Sequence, residues 1–374
     1  MLVKEKKVEL IELFYDLIYV YAISKMTMVI EEPEGGIITP EMFLRYFVFS
    51  FVILQAWLYL TNYVNRYGRW KWYEYALTAV NMTAAVYMAN TISTEWASMA
   101  TTFNLAMLTM LLSVAVMYLI QTKIKEQDTG AAKNMLTILP VDCVLYLAAF
   151  IASASGEGTL VLWLDAIAVL VGAFLPFFIR GRFDISIISF PHLAERFELL
   201  TIITFGEGIV GMTGFFDTKN FSMVPICIFA IILSLFGCYV LQLHELCDHH
   251  RVDRSLRLMF SHYFIVIAIN LITVDIKLFQ HPESSHTFVA VLMVAALLMF
   301  FIAIFSDSIY YGKGYSFAKK DMLLSATLML TGGVIILIPL QAMYAYIIGI
   351  MVVTIGIFAL LAWKKIRGNG VKTV

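Results

Sequence analysis

The chain has 374 residues, of which 61% are hydrophobic and only 14% charged, and its mean hydropathy is +0.83. Soluble domains carry about 25% charged residues, so this composition excludes an ordinary soluble globule and calls for the lipid bilayer as solvent. A formal net charge of -1 leaves no basic footprint for nucleic acid, which is excluded as a partner.

The first apolar stretch, residues 8–30, reads VELIELFYDLIYVYAISKMTMVI. About 20 such residues at roughly 1.5 Å each match a hydrocarbon core of roughly 30 Å. Basic residues precede it as in a signal peptide, but no small-residue cleavage site follows and two acids interrupt it, so it reads as a retained span. Further spans are predicted at 42–64, 72–93, 97–120, 134–154, 159–179, 193–214, 221–243, 256–279, 286–305, 321–340 and 343–363, making twelve. Their joins are short and polar, with Gly- and Pro-containing breakers at 31–36, 155–158 and 312–314. The fold expected is an all-α polytopic membrane protein without room for a soluble domain.

Alternate loops sort the positive charge. Of 26 Lys and Arg, 21 fall in one set: Lys4, Lys6, Lys7, the 66–71 loop, Lys123, Lys125, Lys133, Arg180, Arg182, the 251–257 and 313–320 loops, and the tail from Lys364 to Lys372. The opposite loops keep Lys219 and little else. The positive-inside rule then places both termini in the cytoplasm, in agreement with an even number of spans.

The pattern also repeats. Glu195 follows Glu12 by 183 positions, and the same shift carries Phe14 onto Phe197 and the third and fourth spans onto the ninth and tenth. Two parallel six-helix repeats are therefore expected, at 1–183 and 184–374, related by an axis along the membrane normal. A homodimer would place four such units around one axis, though nothing in the sequence demands one.

Charged residues inside spans are costly and normally face a bundle interior with partners. Glu12 and Asp16, four residues apart, share one helix face about 6 to 12 Å into the first span. The seventh span carries Glu195, Arg196, Glu198 and Glu207, with Gly206, Gly208, Gly211 and Gly214 around the last acid. An unwound, glycine-broken span beside an acid is one way transporters build ion sites, and tight packing without unwinding is the alternative; a kink or interruption is expected near Gly206 to Gly211. The ninth span adds His262 and Asp275, and Asp142 and Asp165 lie in the fifth and sixth. Glu12, Asp16, Glu195, Arg196, Glu207, His262 and Asp275 are the candidate ion or substrate pathway. Arg196 falls at the depth of the first span's acids if the repeat holds, so it is expected to pair with Glu12 or Asp16 and leave the other acid to be protonated or to attract a cation.

Other chemistry is poorly supported. Cys143, Cys227, Cys238 and Cys247 show no paired spacing and read as small buried hydrophobes. The run 244–250, HELCDHH, has metal-type residues, with His244 and Asp248 at helical spacing, yet no established ligand motif, and it reads as a solvated juxtamembrane segment. There is no nucleotide-binding glycine loop and no nucleophile elbow, so no cofactor is expected.

The run Glu12-Leu13-Phe14-Tyr15-Asp16-Leu17-Ile18-Tyr19-Val20-Tyr21-Ala22-Ile23 resembles the ELFFDLVFVFAI signature of the bacterial low-temperature-requirement A family. His192-Leu193-Ala194-Glu195-Arg196-Phe197, followed by Gly206-Glu207, is similar to that family's HLAERFG and LGES stretches. The departures are Tyr15 and Tyr19 for Phe, Glu198 for Gly, and Gly208 for Ser. The resemblance implies a multi-spanning bacterial cell-membrane protein over nearly the whole chain and leaves the activity open. Phe14-x-Asp16 also resembles the Phe-Ser-Asp motif of two-repeat endolysosomal potassium and proton channels, with Tyr15 in place of serine.

Three functions compete. The first is a transporter or channel for a small solute or cation, with a proton link. The second is a membrane-embedded enzyme acting on lipid or isoprenoid substrates through Glu12, Asp16, Glu207 and His262. The third is a noncatalytic scaffold or sensor.

Overall fold

The computed structural model describes residues 6–93, 96–124, 129–178, 187–216, 221–251, 253–338 and 343–370. Of the residues in the charge count, Lys4, Lys125, Arg180, Arg182, Lys219 and Lys372 lie outside them. Twelve α-helices account for the described chain: α1 (Leu10–Thr27), α2 (Pro40–Tyr67), α3 (Trp72–Thr91), α4 (Trp96–Lys123), α5 (Gly130–Ser153), α6 (Gly158–Phe178), α7 (Phe190–Gly211), α8 (Met223–Val240), α9 (Leu256–Gln280), α10 (His286–Ser306), α11 (Lys319–Leu337) and α12 (Met343–Gly370). Eleven of them are long and apolar enough to cross a membrane. The exception is α3, diluted by Glu74, Thr78, Asn81, Thr83 and Asn90.

Local chemistry sets several helix starts. Pro40 opens α2 behind Thr39, whose hydroxyl accepts the Met42 N–H at 3.3 Å. Ser222 and Ser285 cap α8 and α10 in the same way. Glu74 caps α3 from within, accepting the Lys71 N–H at 2.7 Å and the Arg69 N–H at 3.1 Å.

α1 is inside out relative to an amphipathic helix of a soluble protein. On α1 the acids Glu12 and Asp16 are 1% and 0% exposed, whereas Leu10, Phe14 and Leu17 are 81%, 54% and 52% exposed. Lipid is as apolar as leucine, so hydrophobic burial does not hold such helices together; polar pairing and close backbone approach do.

The helices group into two compact units. Unit 1 comprises Met1–Ile30, Ile38–Arg196 and His250–Ser255; unit 2 comprises Glu31–Ile37, Phe197–His249 and Leu256–Val374. In unit 1, α3 packs on α4, α4 on α5 and α5 on α6, while α2 lies against α6 and α1 against α2 and α3. In unit 2, α9 packs on α10, α11 on α12, and α12 on α8. The α11–α12 crossing is tight: a Cβ on Gly332 would lie 2.5 Å from the Gly349 carbonyl oxygen, and one on Gly349 2.8 Å from that of Gly332.

The break expected in the seventh span is absent. α7 runs without interruption through Gly206 and Gly208 to Gly211. Its glycines serve close packing instead, since a Cβ on Gly208 would sit 2.9 Å from Thr273 Oγ1 and one on Gly211 3.0 Å from Lys277 Nζ. The unwound-helix argument for Glu207 falls with this result. The cysteines form no disulfide among the described residues, but only Cys238 is fully buried.

Candidate functional site

The charged face of α1 is met by the first turns of α7, all within unit 1. Arg196 Nε and Nη2 donate to the two carboxylate oxygens of Asp16 at 3.0 and 2.5 Å, and Nη1 donates to Glu12 Oε2 at 2.6 Å. One guanidinium therefore holds both acids, where the sequence reading expected one. The rings of Tyr15 and Trp57 flank its Cζ at 5.7 and 5.5 Å, adding cation–π attraction in a site removed from water.

Sequence reasoning missed the outer members of this cluster. Trp57 Nε1 donates to Asp16 Oδ1 at 2.7 Å, and Trp70 Nε1 donates to Glu12 Oε1 at 3.3 Å. Trp70 is held at φ 53°, a left-handed conformation that bulky residues rarely adopt, in the loop between α2 and α3. His192 Nε2 lies 2.9 Å from Glu12 Oε2. His192 precedes Arg196 by four residues, so the two share a face of α7, and that spacing was the available signal.

Asn65 fixes the histidine tautomer. Its Oδ1 accepts the Ser189 N–H at 3.2 Å and its Nδ2 donates to the Ser189 carbonyl at 2.8 Å, which settles the amide orientation. Nδ2 also lies 3.0 Å from His192 Nδ1. Nδ1 must then accept, so the ring proton sits on Nε2 and points at Glu12. Two carboxylates face one guanidinium and a neutral imidazole, and the Lys6 ammonium, bonded to the Val64 and Gly68 carbonyls, adds a second positive charge that acts on Glu12.

The oxygens are not held equally. Both oxygens of Asp16 are fixed by short bonds to Arg196 and Trp57. Among the described residues, Glu12 Oε1 has only long contacts, to Trp70 Nε1 at 3.3 Å and the Glu9 N–H at 3.4 Å. It is the most weakly held carboxylate oxygen of the cluster.

The remaining predicted residues lie elsewhere. Glu195 is exposed on α7. In unit 2, Glu207 is exposed, while His262 is buried with Nε2 2.9 Å from Tyr239 Oη and Nδ1 2.7 Å from the Leu258 carbonyl. Asp275 is fully buried and accepts from Tyr346 Oη. In unit 1, Asp142 accepts from Tyr59 Oη, and Asp165 Oδ2 accepts from Asn104 Nδ2 at 3.4 Å. Gly172 makes room for the first of these, since a Cβ there would sit 2.5 Å from both Asp142 Oδ2 and Tyr59 Oη.

Long apolar helices that turn lipid-compatible side chains outward and close a charged cluster inward define a polytopic integral membrane protein. Residues 7–362 match the family model described as Bacterial low temperature requirement A protein (LtrA), and the chain belongs to that family. A search of curated proteins found no match.

Proposed function

We propose that the protein moves a small solute or cation across the bacterial cell membrane with a proton link, and that Glu12 carries the proton. The observation that supports this reading is the buried Glu12–Asp16–Arg196–His192 cluster, in which two carboxylates share one guanidinium and Glu12 Oε1 is the most weakly held oxygen. Each carboxylate oxygen already accepts at least one hydrogen bond, so a dehydrated metal cation would have to displace several donors at once. Protonation of Glu12 at Oε1 would displace only the two longest contacts to the carboxylates of the cluster, from Trp70 Nε1–H and the Glu9 N–H. Arg196 and Trp57 hold Asp16 in place, and His192 Nε2–H orients Glu12. Asp275 and His262 are buried within unit 2, whereas Glu195 of unit 1 and Glu207 of unit 2 are exposed.

The repeat belongs to this reading. The neighbours recur from one unit to the other: α2 with α6 and α8 with α12, α3 with α4 and α9 with α10, α5 with α6 and α11 with α12. That recurrence supports two parallel six-helix repeats, 1–183 and 184–374, and the sorting of Lys and Arg among the loops supports cytoplasmic termini.

The test is flux in proteoliposomes under an imposed pH gradient, a potassium gradient, or both. Dissipation of the pH gradient by the wild type supports a proton link. Dissipation of potassium alone would replace the proton with a cation, and liposomes silent under every gradient would remove transport.

A further inference from the structure

Beyond α8 the helix widens into a π-turn over Leu241–Glu245 before the chain turns back. Such turns are rare and recur at functional positions, because the extra residue re-aims a side chain. Here it carries His244 toward Glu198 of α7, with His244 Nδ1 3.4 Å from Glu198 Oε2. His249 returns to the same place, its ring centroid 6.0 Å from that of His244. One ligand atom from each of Glu198, His244 and His249 lies within 4.8 Å of the others. All three belong to unit 2.

We propose that Glu198, His244 and His249 form a binding site for a borderline divalent transition metal of the zinc class. Tetrahedral ligands at bond lengths of about 2.0 to 2.1 Å lie roughly 3.3 Å apart, close to the existing Glu198–His244 separation. His244 is exposed and Glu198 half-buried, so small side-chain rotations close the remaining gap to His249. His249 Nε2 is 3.0 Å from the Leu243 carbonyl, and a proton held there leaves Nδ1 as the metal-facing nitrogen. A ligating histidine anchored through its other nitrogen to a backbone carbonyl is the usual outer support of such sites. Two imidazoles and one carboxylate select zinc, cobalt, nickel or copper over magnesium and calcium, which take oxygen ligands. The fourth position is left for water or an external ligand.

The sequence paired His244 with Asp248 by helical spacing; the fold pairs it with Glu198, 46 residues away, and with His249. The site shares no residue with the Glu12 cluster, and its test does not read flux.

Tag-free full-length protein in detergent is titrated with zinc chloride by calorimetry and with cobalt chloride by visible absorption. The site predicts one ion per chain and a tetrahedral cobalt band. Glu198→Gln, His244→Ala and His249→Ala should each weaken binding by at least about tenfold, as loss of a ligand does. His250→Ala and His281→Ala should leave it unchanged. Zinc should also raise the melting temperature of the wild type and not of the three ligand variants, whose metal-free melting reports that they are folded. Absence of stoichiometric binding, or binding equally reduced by the His250 and His281 substitutions, would overturn the proposal.

Discussion

Arg196 meets Asp16 side-on, with Nε 3.0 Å from Oδ2 and Nη2 2.5 Å from Oδ1. This two-bond geometry needs the planar guanidinium, and Lys cannot reproduce it. Removing one partner of a buried pair costs about 3 to 5 kcal/mol, because the other charge is stranded. Arg196→Leu should therefore be severely destabilising, and Arg196→Lys should be partly so. Combining Arg196→Leu with Asp16→Asn should cost less than the sum of the single changes, as measured by unfolding in detergent. Strict additivity would mean that the two residues do not act as a pair.

Trp57 offers a milder probe. Trp57→Phe keeps a ring beside Arg196 but deletes the Nε1–H bond to Asp16. A lost hydrogen bond to a charged group costs about 1.5 to 3 kcal/mol, so a fall in stability of that order is expected. No change in the unfolding midpoint would show that this bond contributes nothing.

Two glycines in spans should respond in opposite directions to alanine. At Gly172 the new Cβ meets Asp142 and Tyr59 at 2.5 Å, while at Gly206 it meets nothing within 4 Å. Overpacking costs about 1 to 3 kcal/mol, whereas a helical Gly→Ala change without a clash gains up to about 1 kcal/mol. Gly172→Ala should lower the melting temperature and Gly206→Ala should hold or raise it. The opposite ranking would deny the close packing at α6.

Charge sorting makes a topological prediction. Single cysteines at Glu34 and Gly156, on a cysteine-free background, should react with an impermeant maleimide from outside intact cells. Cysteines at Lys71 and Lys319 should react only after permeabilisation. The reverse pattern would invert the protein.

Most helices were legible because they are long, mainly apolar runs, although polar residues keep α3 from qualifying as a span. The ninth span, predicted at 256–279, is found as Leu256–Gln280, and the sixth, predicted at 159–179, as Gly158–Phe178. Glu12, Asp16 and Arg196 stood out because charge in such runs demands a partner. His192, Trp57 and Asn65 did not, since a histidine at a helix start or an asparagine near a helix end is unremarkable until distant helices meet. The α7 glycines misled for a related reason: glycine permits both unwinding and close approach, and the choice is made by Thr273 and Lys277 on another helix.

The central claim is that Glu12 carries an exchangeable proton, and proton flux in proteoliposomes bearing Glu12→Gln tests it most directly. Glutamine preserves the shape and can still accept from Arg196 and His192, but it cannot take up and release a proton. The account predicts that the wild type and a Glu157→Gln loop control dissipate an imposed pH gradient while folded Glu12→Gln does not. Wild-type flux that survives undiminished in Glu12→Gln would contradict it.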